Sequence, residues 1–419
     1  MKAWSIAREH GAGELARRAA GRFARGVGDM FVGPACCAQA DALGIVARRR
    51  AGAPSVLIAD EHAPFFDRDA GSRRIDHLLQ ALRARGAAII FASLDRDAYG
   101  RYGRRLREAG TCFLTGCDAS TPGELAARGV PIDIMWLSRP SSAELLIDAA
   151  RAAYPRACVL YDTVDLHYRR MEREERVTGR RTGADAMREL ELRLARQADI
   201  TIAVSEPEER ELAREGIASI ARFAVFDKPA ESVASWEVRS GAIFVGNYAH
   251  RPNLDAARVM LEKVVPLVRE RLRGFEAEIA GADPPSALRA FAGIETFVPG
   301  YVADIGASLA RRRVFAAPLR FGAGLKGKIV QALACGLPVV TSGVGAEGIP
   351  DARAWGVVAE DARAFADAIV ALHEDRALWE RLSAGARRTA ESFSPCAAAV
   401  QVDAIIERCA AVRSLRSSG

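Results

Sequence analysis

Along most of the chain, short apolar runs alternate with longer stretches whose apolar residues recur at helical spacing. This is the signature of parallel-sheet units, in which a strand buried on both faces is followed by an amphipathic helix. In the N-terminal part, Ser55 to Ala59, Ala88 to Ala92, Ile132 to Leu137, Ala157 to Tyr161 and Ile200 to Val204 read as strands. Between them, Ser72 to Arg85, Ser141 to Ala153, Ala184 to Ala198 and Glu206 to Glu215 read as helices. A segment rich in Pro, Ser, Glu and Lys from Asp227 to Ser240 then interrupts the pattern and suits a linker. Beyond it the alternation restarts, with strands at Ala242 to Val245, Glu276 to Ala280, Glu295 to Val298, Val314 to Ala317, Pro338 to Thr341 and Val357 to Ala359. Helices are expected near Asn253 to Arg271, Val302 to Arg311, Lys328 to Cys335 and Ala362 to Glu374, with more helix from Arg376 to about Val412. The pattern predicts an α/β chain of two Rossmann-like, doubly wound domains, residues 55–228 and 241–392, joined by a hinge at 229–240 and followed by a helical tail at 393–419.

Composition narrows the class. The 419 residues are 50% hydrophobic and 27% charged, which suits ordered globular domains rather than disorder. A net charge of +6 is too modest for a dedicated nucleic-acid binder. Nearly all of it lies in residues 1–54, where nine basic residues face four acidic ones. Six glycines from Gly11 to Gly33 interrupt any long helix there, so this basic extension is read as loosely docked, a basic helix against an anionic membrane being the alternative. No apolar stretch is long enough to span a bilayer and none reads as a signal peptide, so a cytoplasmic protein is expected, with the inner face of the membrane as its candidate contact. The eight cysteines form no C-x-x-C pair and the histidines no H-E-x-x-H, which leaves zinc chemistry without a motif.

The most informative stretch runs from Pro318 to Ser342, PLRFGAGLKGKIVQALACGLPVVTS. A strand ends, a loop with Gly322, Gly324 and Gly327 follows, and an apolar helix begins. Glycines let the backbone approach a ligand and turn its N–H groups towards an anion. Lys326 and Lys328 add two cations, and Arg320 is a candidate third, which makes a site for a diphosphate. Neither a G-K-[ST] closure nor a G-x-G-x-x-G fingerprint is present.

With this loop in place, the second domain resembles the nucleotide-binding half of retaining GT-B glycosyltransferases, the family 4-like, group 1 glycosyl transferases. Four blocks carry the resemblance: FVGNYAHRPNLD from Phe244, AGADPP from Ala280, VPGYVAD from Val298, and the Gly/Lys loop with its sequel Gly345-Ala-Glu-Gly348. In the first domain it is weaker, at Pro64 to Arg73, at Tyr161-Asp-Thr-Val-Asp-Leu-His167 and at Ala198 to Ser205. The resemblance implies a nucleotide-sugar donor in the second domain, a glycan or lipid-linked acceptor against the first, and transfer with retention in the cleft, in cell-surface polysaccharide or glycolipid assembly. It implies a nucleobase near Tyr301 and Val302, a ribose near Gln331, a diphosphate over Gly324 to Lys328, and the sugar near Gly345, Glu347 and Gly348.

On the same grounds His167, Lys328 and Arg320 are the expected catalytic residues. Gly246, Asn247 and Asn253 line the first donor loop, and Gly71, Ser72, Asp162 and Asp165 lie on the acceptor side, with Gly71 and Ser72 opening a helix, Ser72 a candidate N-cap and Asp162 read as a turn or orienting residue rather than a base. No cofactor or metal is expected, because cations and helix N-termini neutralise the leaving diphosphate. The match has gaps. The family's two glutamates around the phosphate loop fall at Ala323 and Gln331, and its first-loop arginine and lysine at Asn247 and Asn253. The rival expectations are a nucleotide-sugar 2-epimerase and a donor-binding subunit of weak activity.

Overall fold

Most of the apolar runs become strands buried along their length, because helices cover both faces of each parallel sheet, while the strands at Thr296–Gly300 and Gly356–Val358 are partly exposed. The computed structural model describes residues 42–417 apart from 68, 69, 98, 99 and 227. The basic extension up to residue 41, with Asp69 and Asp227, therefore lies outside the described residues.

The first sheet contains β1 (Ser55–Asp60), β2 (Ala88–Ser93), β3 (Cys112–Thr115), β4 (Ile134–Ser138), β5 (Cys158–Asp162), β6 (Ile200–Ala203) and β7 (Ile220–Arg222). Their order is β3-β2-β1-β4-β5-β6-β7. Five match the apolar runs of the sequence. The other two, β3 and β7, are the sheet's edges, short and with an intermediate or exposed end, so their apolar signal is weak. Helices α1 (Ala70–Ala84), α2 (Gly100–Glu108), α3 (Thr121–Ala127), α4 (Arg139–Ala153), α5 (His167–Thr178), α6 (Ala184–Gln197) and α7 (Glu206–Arg214) connect them. Of these, α2, α3 and α5 were not anticipated; α5 is charged nearly all round and buries only Tyr168 and Glu174.

The second sheet holds β8 (Ser240–Val245), β9 (Ala277–Ala280), β10 (Thr296–Gly300), β11 (Arg312–Ala317), β12 (Val339–Thr341) and β13 (Gly356–Val358), in the order β10-β9-β8-β11-β12-β13. All six lie at the expected runs. The long helix foreseen near Asn253 to Arg271 is α8 (Arg251–Val259), which continues through a π turn at Met260–Val264 into Val265–Arg269. Pro266 explains the wider turn, since it has no N–H to donate one turn back. Further along come α9 (Ile305–Arg311), α10 (Gly327–Ala334), α11 (Ala362–Glu374), α12 (Arg376–Glu391) and α13 (Pro395–Ser417). In both sheets the strand order reverses beside the first strand, so the loops leaving β1 and β4, and those leaving β8 and β11, part and open a crevice at the strands' C-terminal ends.

Two crossings of the chain join the halves. Phe226 N–H donates to the Phe393 carbonyl at 2.7 Å, and their rings meet edge to face at 6.4 Å. Most of the 229–240 segment is docked on the second sheet, with Ala230 N–H donating to the Ala334 carbonyl at 2.8 Å and Val233 packed against Gly336. After the second crossing, α13 lies back on the first sheet. Its buried stripe is Ala398, Val402, Ile405 and Cys409. Arg85, Arg408 and Arg416 fix it by donating across to the carbonyls of Ala399, Ile220 and Ala157.

Behind the second crevice, Gly281 (φ +134°) donates its N–H to Gly300 while its Cα presses on the turn after β8. A Cβ there would lie 1.7 Å from the Gly246 carbonyl oxygen, so both conformation and space demand glycine. Gly281→Ala should therefore destabilise the protein by about 3 kcal/mol through strain and overpacking, read as a lowered denaturant midpoint.

Candidate active site

On the second-domain side, the loop between β11 and α10 carries the Gly/Lys motif. Gly324 has φ +65°, and a Cβ on it would come 2.8 Å from the Asp165 Cβ of the first domain. A Cβ on Gly327 would strike the Phe226 ring and Ala70, the first residue of α1. Glycine here lets the two domains touch. Lys326 is buried and donates to the Gly324 carbonyl at 2.6 Å. Desolvation pushes its amine down to about 8, against the pull of Glu347 and Glu208. Lys328, half-buried on the first turn of α10, donates to Asn253 Oδ1 and stands 5.4 Å above the Phe244 ring. Desolvation, and then the charge on Lys326, bring it to about 7. Gln331 follows three positions after Lys328, on the same face of α10.

On the first-domain side, β5 runs into a turn that is strained at Val164. This β-branched residue adopts φ +62°, held by its N–H on Asp162 Oδ1 at 3.2 Å and by Thr163 N–H on the Ile202 carbonyl. The turn delivers Asp165 and His167 to the loop of the second domain. His167 opens α5, with Nε2 3.4 Å from Asp165 Oδ1 and Nδ1 3.4 Å from Glu191 Oε1. Burial opposes the charge on Asp165, but Arg170, His167 and Arg139 hold its carboxyl at about 2. Two buried carboxylates receive the first N–H groups of α5. Glu191 accepts from His167 and Tyr168 at 3.1 and 2.8 Å, and Glu208 accepts from Leu166 at 3.1 Å.

Side chains of the two halves also meet directly. Arg173 forms a two-pronged ion pair with Glu347 at 2.6 and 2.9 Å and donates to the Gly322 carbonyl. Arg169 reaches Glu347 at 3.0 Å, Arg251 reaches Glu174 at 2.6 Å, and the Tyr301 hydroxyl donates to Asp67 Oδ2 at 3.2 Å.

The fold has counterparts among known proteins. Residues 239–375 match the family described as Glycosyl transferases group 1. Over the whole chain the fold is similar to sucrose-phosphate synthase from Thermosynechococcus elongatus, with TM-score 0.65 and 14% identity over 87% of this chain and 100% of that one. It is similar to Anabaena HepE in complex with UDP and glucose, with TM-score 0.65 and 15% identity over 84% and 99%. A glycosyltransferase from Rickettsia africae matches with TM-score 0.60 and 12% identity over 86% and 99%. No curated protein matches the chain by sequence. The fold is GT-B.

Within this GT-B frame the expected site residues divide. Lys326, Gly324, His167, Asp165, Glu347 and Gly348 gather where the domains face each other, with Lys328 beside them on α10; a Cβ on Gly348 would lie 2.8 Å from that of Ser205 in the first domain. Tyr301 is exposed at the domain boundary with its hydroxyl on Asp67, and Val302 packs on the second core. Gly246 and Asn247 build the β8 turn, in which Asn247 accepts the Asn253 side-chain N–H at 2.8 Å. Other expectations need correction. Arg320 is exposed and paired with Asp255, so its charge is already matched. Gly345 faces inward, where a Cβ would lie 1.9 Å from Thr341 Oγ1, so it serves packing. Gly71 and Ser72 sit inside the first turn of α1, which starts at Ala70, and Ser72 is buried rather than an N-cap.

Asp162 is the turn residue that its reading as an orienting group, not a base, expected. It has no exposed surface, and its Oδ2 accepts from Arg74 and from Trp136 Nε1, both at 2.7 Å. It orients the turn and meets no acceptor. The sequence reading missed Glu191, Glu208, Arg139 and the arginines of α5. Only Glu208 had a local signal, as the last residue of a Ser-x-x-Glu capping box beginning at Ser205. Arg139, at φ +72°, instead pairs with Asp60 at the end of β1. Arg74→Ala leaves Asp162 charged and unpaired in the core, so chemical unfolding should record a loss of about 3–5 kcal/mol.

Proposed function

We propose that the chain is a retaining, metal-independent glycosyltransferase that moves a sugar from a nucleoside diphosphate donor on the second domain to a glycan or lipid-linked acceptor on the first. The observation that supports this most directly is the pair Lys326 and Lys328 at the start of α10. Desolvation holds both amines well below their ordinary value of 10.5. An isolated pair of cations in such a place is unfavourable, and a bound diphosphate relieves it. As the bond from the anomeric carbon to the diphosphate breaks, negative charge grows on the departing oxygen. Fixed amines and the N–H groups at the helix start favour that charge more than the ground state.

The reading of retention is supported by how two nearby carboxylates are engaged. Asp165 is engaged by Arg170, and Glu191 is spent on backbone N–H groups. That leaves the departing phosphate itself to take the acceptor's proton on the same face. His167 then meets the sugar or its phosphate from the first-domain side. We place the reaction in the cytoplasm, at the inner membrane face when the acceptor is lipid-linked, in polysaccharide or glycolipid assembly. HepE, with UDP and glucose, makes UDP the first donor nucleotide to try.

Thermal shifts with UDP, GDP and ADP test the reading, since a ligand at a hundred times its Kd adds about 2.7 kcal/mol of stability. Incubation with UDP-glucose alone separates transfer from epimerisation, which needs no acceptor. Lys326→Ala and Lys328→Ala should each lower turnover about a hundredfold, the scale for losing one preorganised charge-stabilising donor. Near-normal steady-state rates in the double variant overturn the assignment.

The depressed amines also predict a pH dependence. Between about pH 7 and 10.5 the unfolded chain holds more protons than the free folded protein, so stability rises with pH through that range. A bound diphosphate reverses the preference by favouring protonated amines. Nucleotide binding should therefore take up protons near pH 8 and weaken as pH rises from about 7 to 9. Calorimetry in buffers of different ionisation heat reads the uptake, and a zero count argues against the lysines as ligands.

A further inference from the structure

Arg173 has a binding geometry that the function proposed above leaves unused. It projects from α5 across the cleft with a side chain only 18% exposed, and both its terminal nitrogens grip Glu347. Arg169, one turn earlier on the same face, reaches the same carboxylate at 3.0 Å, and Lys326 stands 3.8 Å from it. Three cations from two domains thus converge on one carboxylate beside the phosphate loop. Part of that charge is matched elsewhere, since Arg169 also pairs with Glu211 at 3.1 Å. Arg173 has Glu347 as its carboxylate partner, together with the carbonyl oxygen of Gly322.

The second domain is short of cations for a diphosphate. Asn253 gives its oxygen to Lys328 and its N–H to Asn247, and Arg320 is held by Asp255. A two-pronged guanidinium grips phosphate oxygens as it grips a carboxylate. We propose that Arg173 is a ligand of the donor diphosphate supplied by the first domain, and that Glu347 occupies its place until the nucleotide arrives. The proposal rests on the donor site assigned above. It ties the bound nucleotide to both domains, because Arg173 reaches the loop only across their boundary. Glu347, released from the arginine, becomes free to meet the sugar hydroxyls.

The test is calorimetric titration of the full chain with UDP, GDP, ADP and inorganic pyrophosphate, the last as a probe that needs no base. Arg173→Ala should weaken binding about tenfold or more, the loss of one charge-assisted contact. Arg173→Lys should recover only part of it, because an ammonium cannot make the paired contact. Glu347→Gln, which removes the internal competitor, should strengthen binding of pyrophosphate and of the nucleotides. If Arg173 merely latched the domains, Glu347→Gln would weaken binding as Arg173→Ala does, and that outcome overturns the proposal. Equal affinity of wild type and Arg173→Ala also overturns it while leaving the lysine site standing. Failure of the wild type to bind any of the four probes overturns the donor-site reading itself. Melting without ligand checks folding, and if Arg173→Ala is unfolded, the Arg173→Lys and Glu347→Gln pair decides by the same criteria.

Discussion

The start of helix α5 is held by two carboxylates that have almost no contact with water. Glu191 and Glu208 come from different helices and accept the N–H groups of Leu166, His167 and Tyr168, which no turn of helix precedes. Burial is the larger influence on Glu208 and raises its carboxyl to about 7, offset in part by the Leu166 N–H. The helix they cap is too polar to be stable on its own apolar face. Its position depends on these caps, and so does everything it carries: His167 at its first residue, Arg170 against Asp165, and Arg169 and Arg173 across the cleft.

Opposite α5, the second domain offers backbone where other surfaces offer side chains. Gly324, Gly327 and Gly348 each lie so close to first-domain atoms that a methyl group would collide. The closeness excludes water from the loop, and dehydration is what shifts Lys326 and Lys328. Packing and chemistry therefore have one cause. The same glycines that permit the contact also keep the two amines dry.

Much of the scaffold could be read from the chain, for a physical reason. A parallel strand covered on both faces is a continuous apolar run, as the inner strands β9, β11 and β12 of the second sheet show. The edge strands β3 and β7 do not, because edges are short and partly wet. Helix α5 escapes periodicity because polar caps, not an apolar stripe, hold it. For the site, the Gly/Lys loop was legible since its residues are consecutive. Asp162 could be read as a turn residue, but nothing local reveals its partner Arg74, 88 positions away. The Arg173 and Glu347 pair is hidden still more deeply, being made only when two domains meet.

The two crossings at Phe226 and Phe393 lie side by side, tied by a backbone bond and an aromatic contact. A single connecting strand would let one half swivel freely on the other. Two adjacent strands behave as paired pins on a door: rotation about the line through them remains soft, while sliding and twisting strain one strand against its neighbour. Of the many ways two lobes could part, this leaves essentially one swing, on the microsecond-to-millisecond scale of domain hinges. Each return of that swing brings the same arginine to the same loop, and because Gly327 of that loop lies against the Phe226 ring, the pivot sits beside the surfaces whose register it sets.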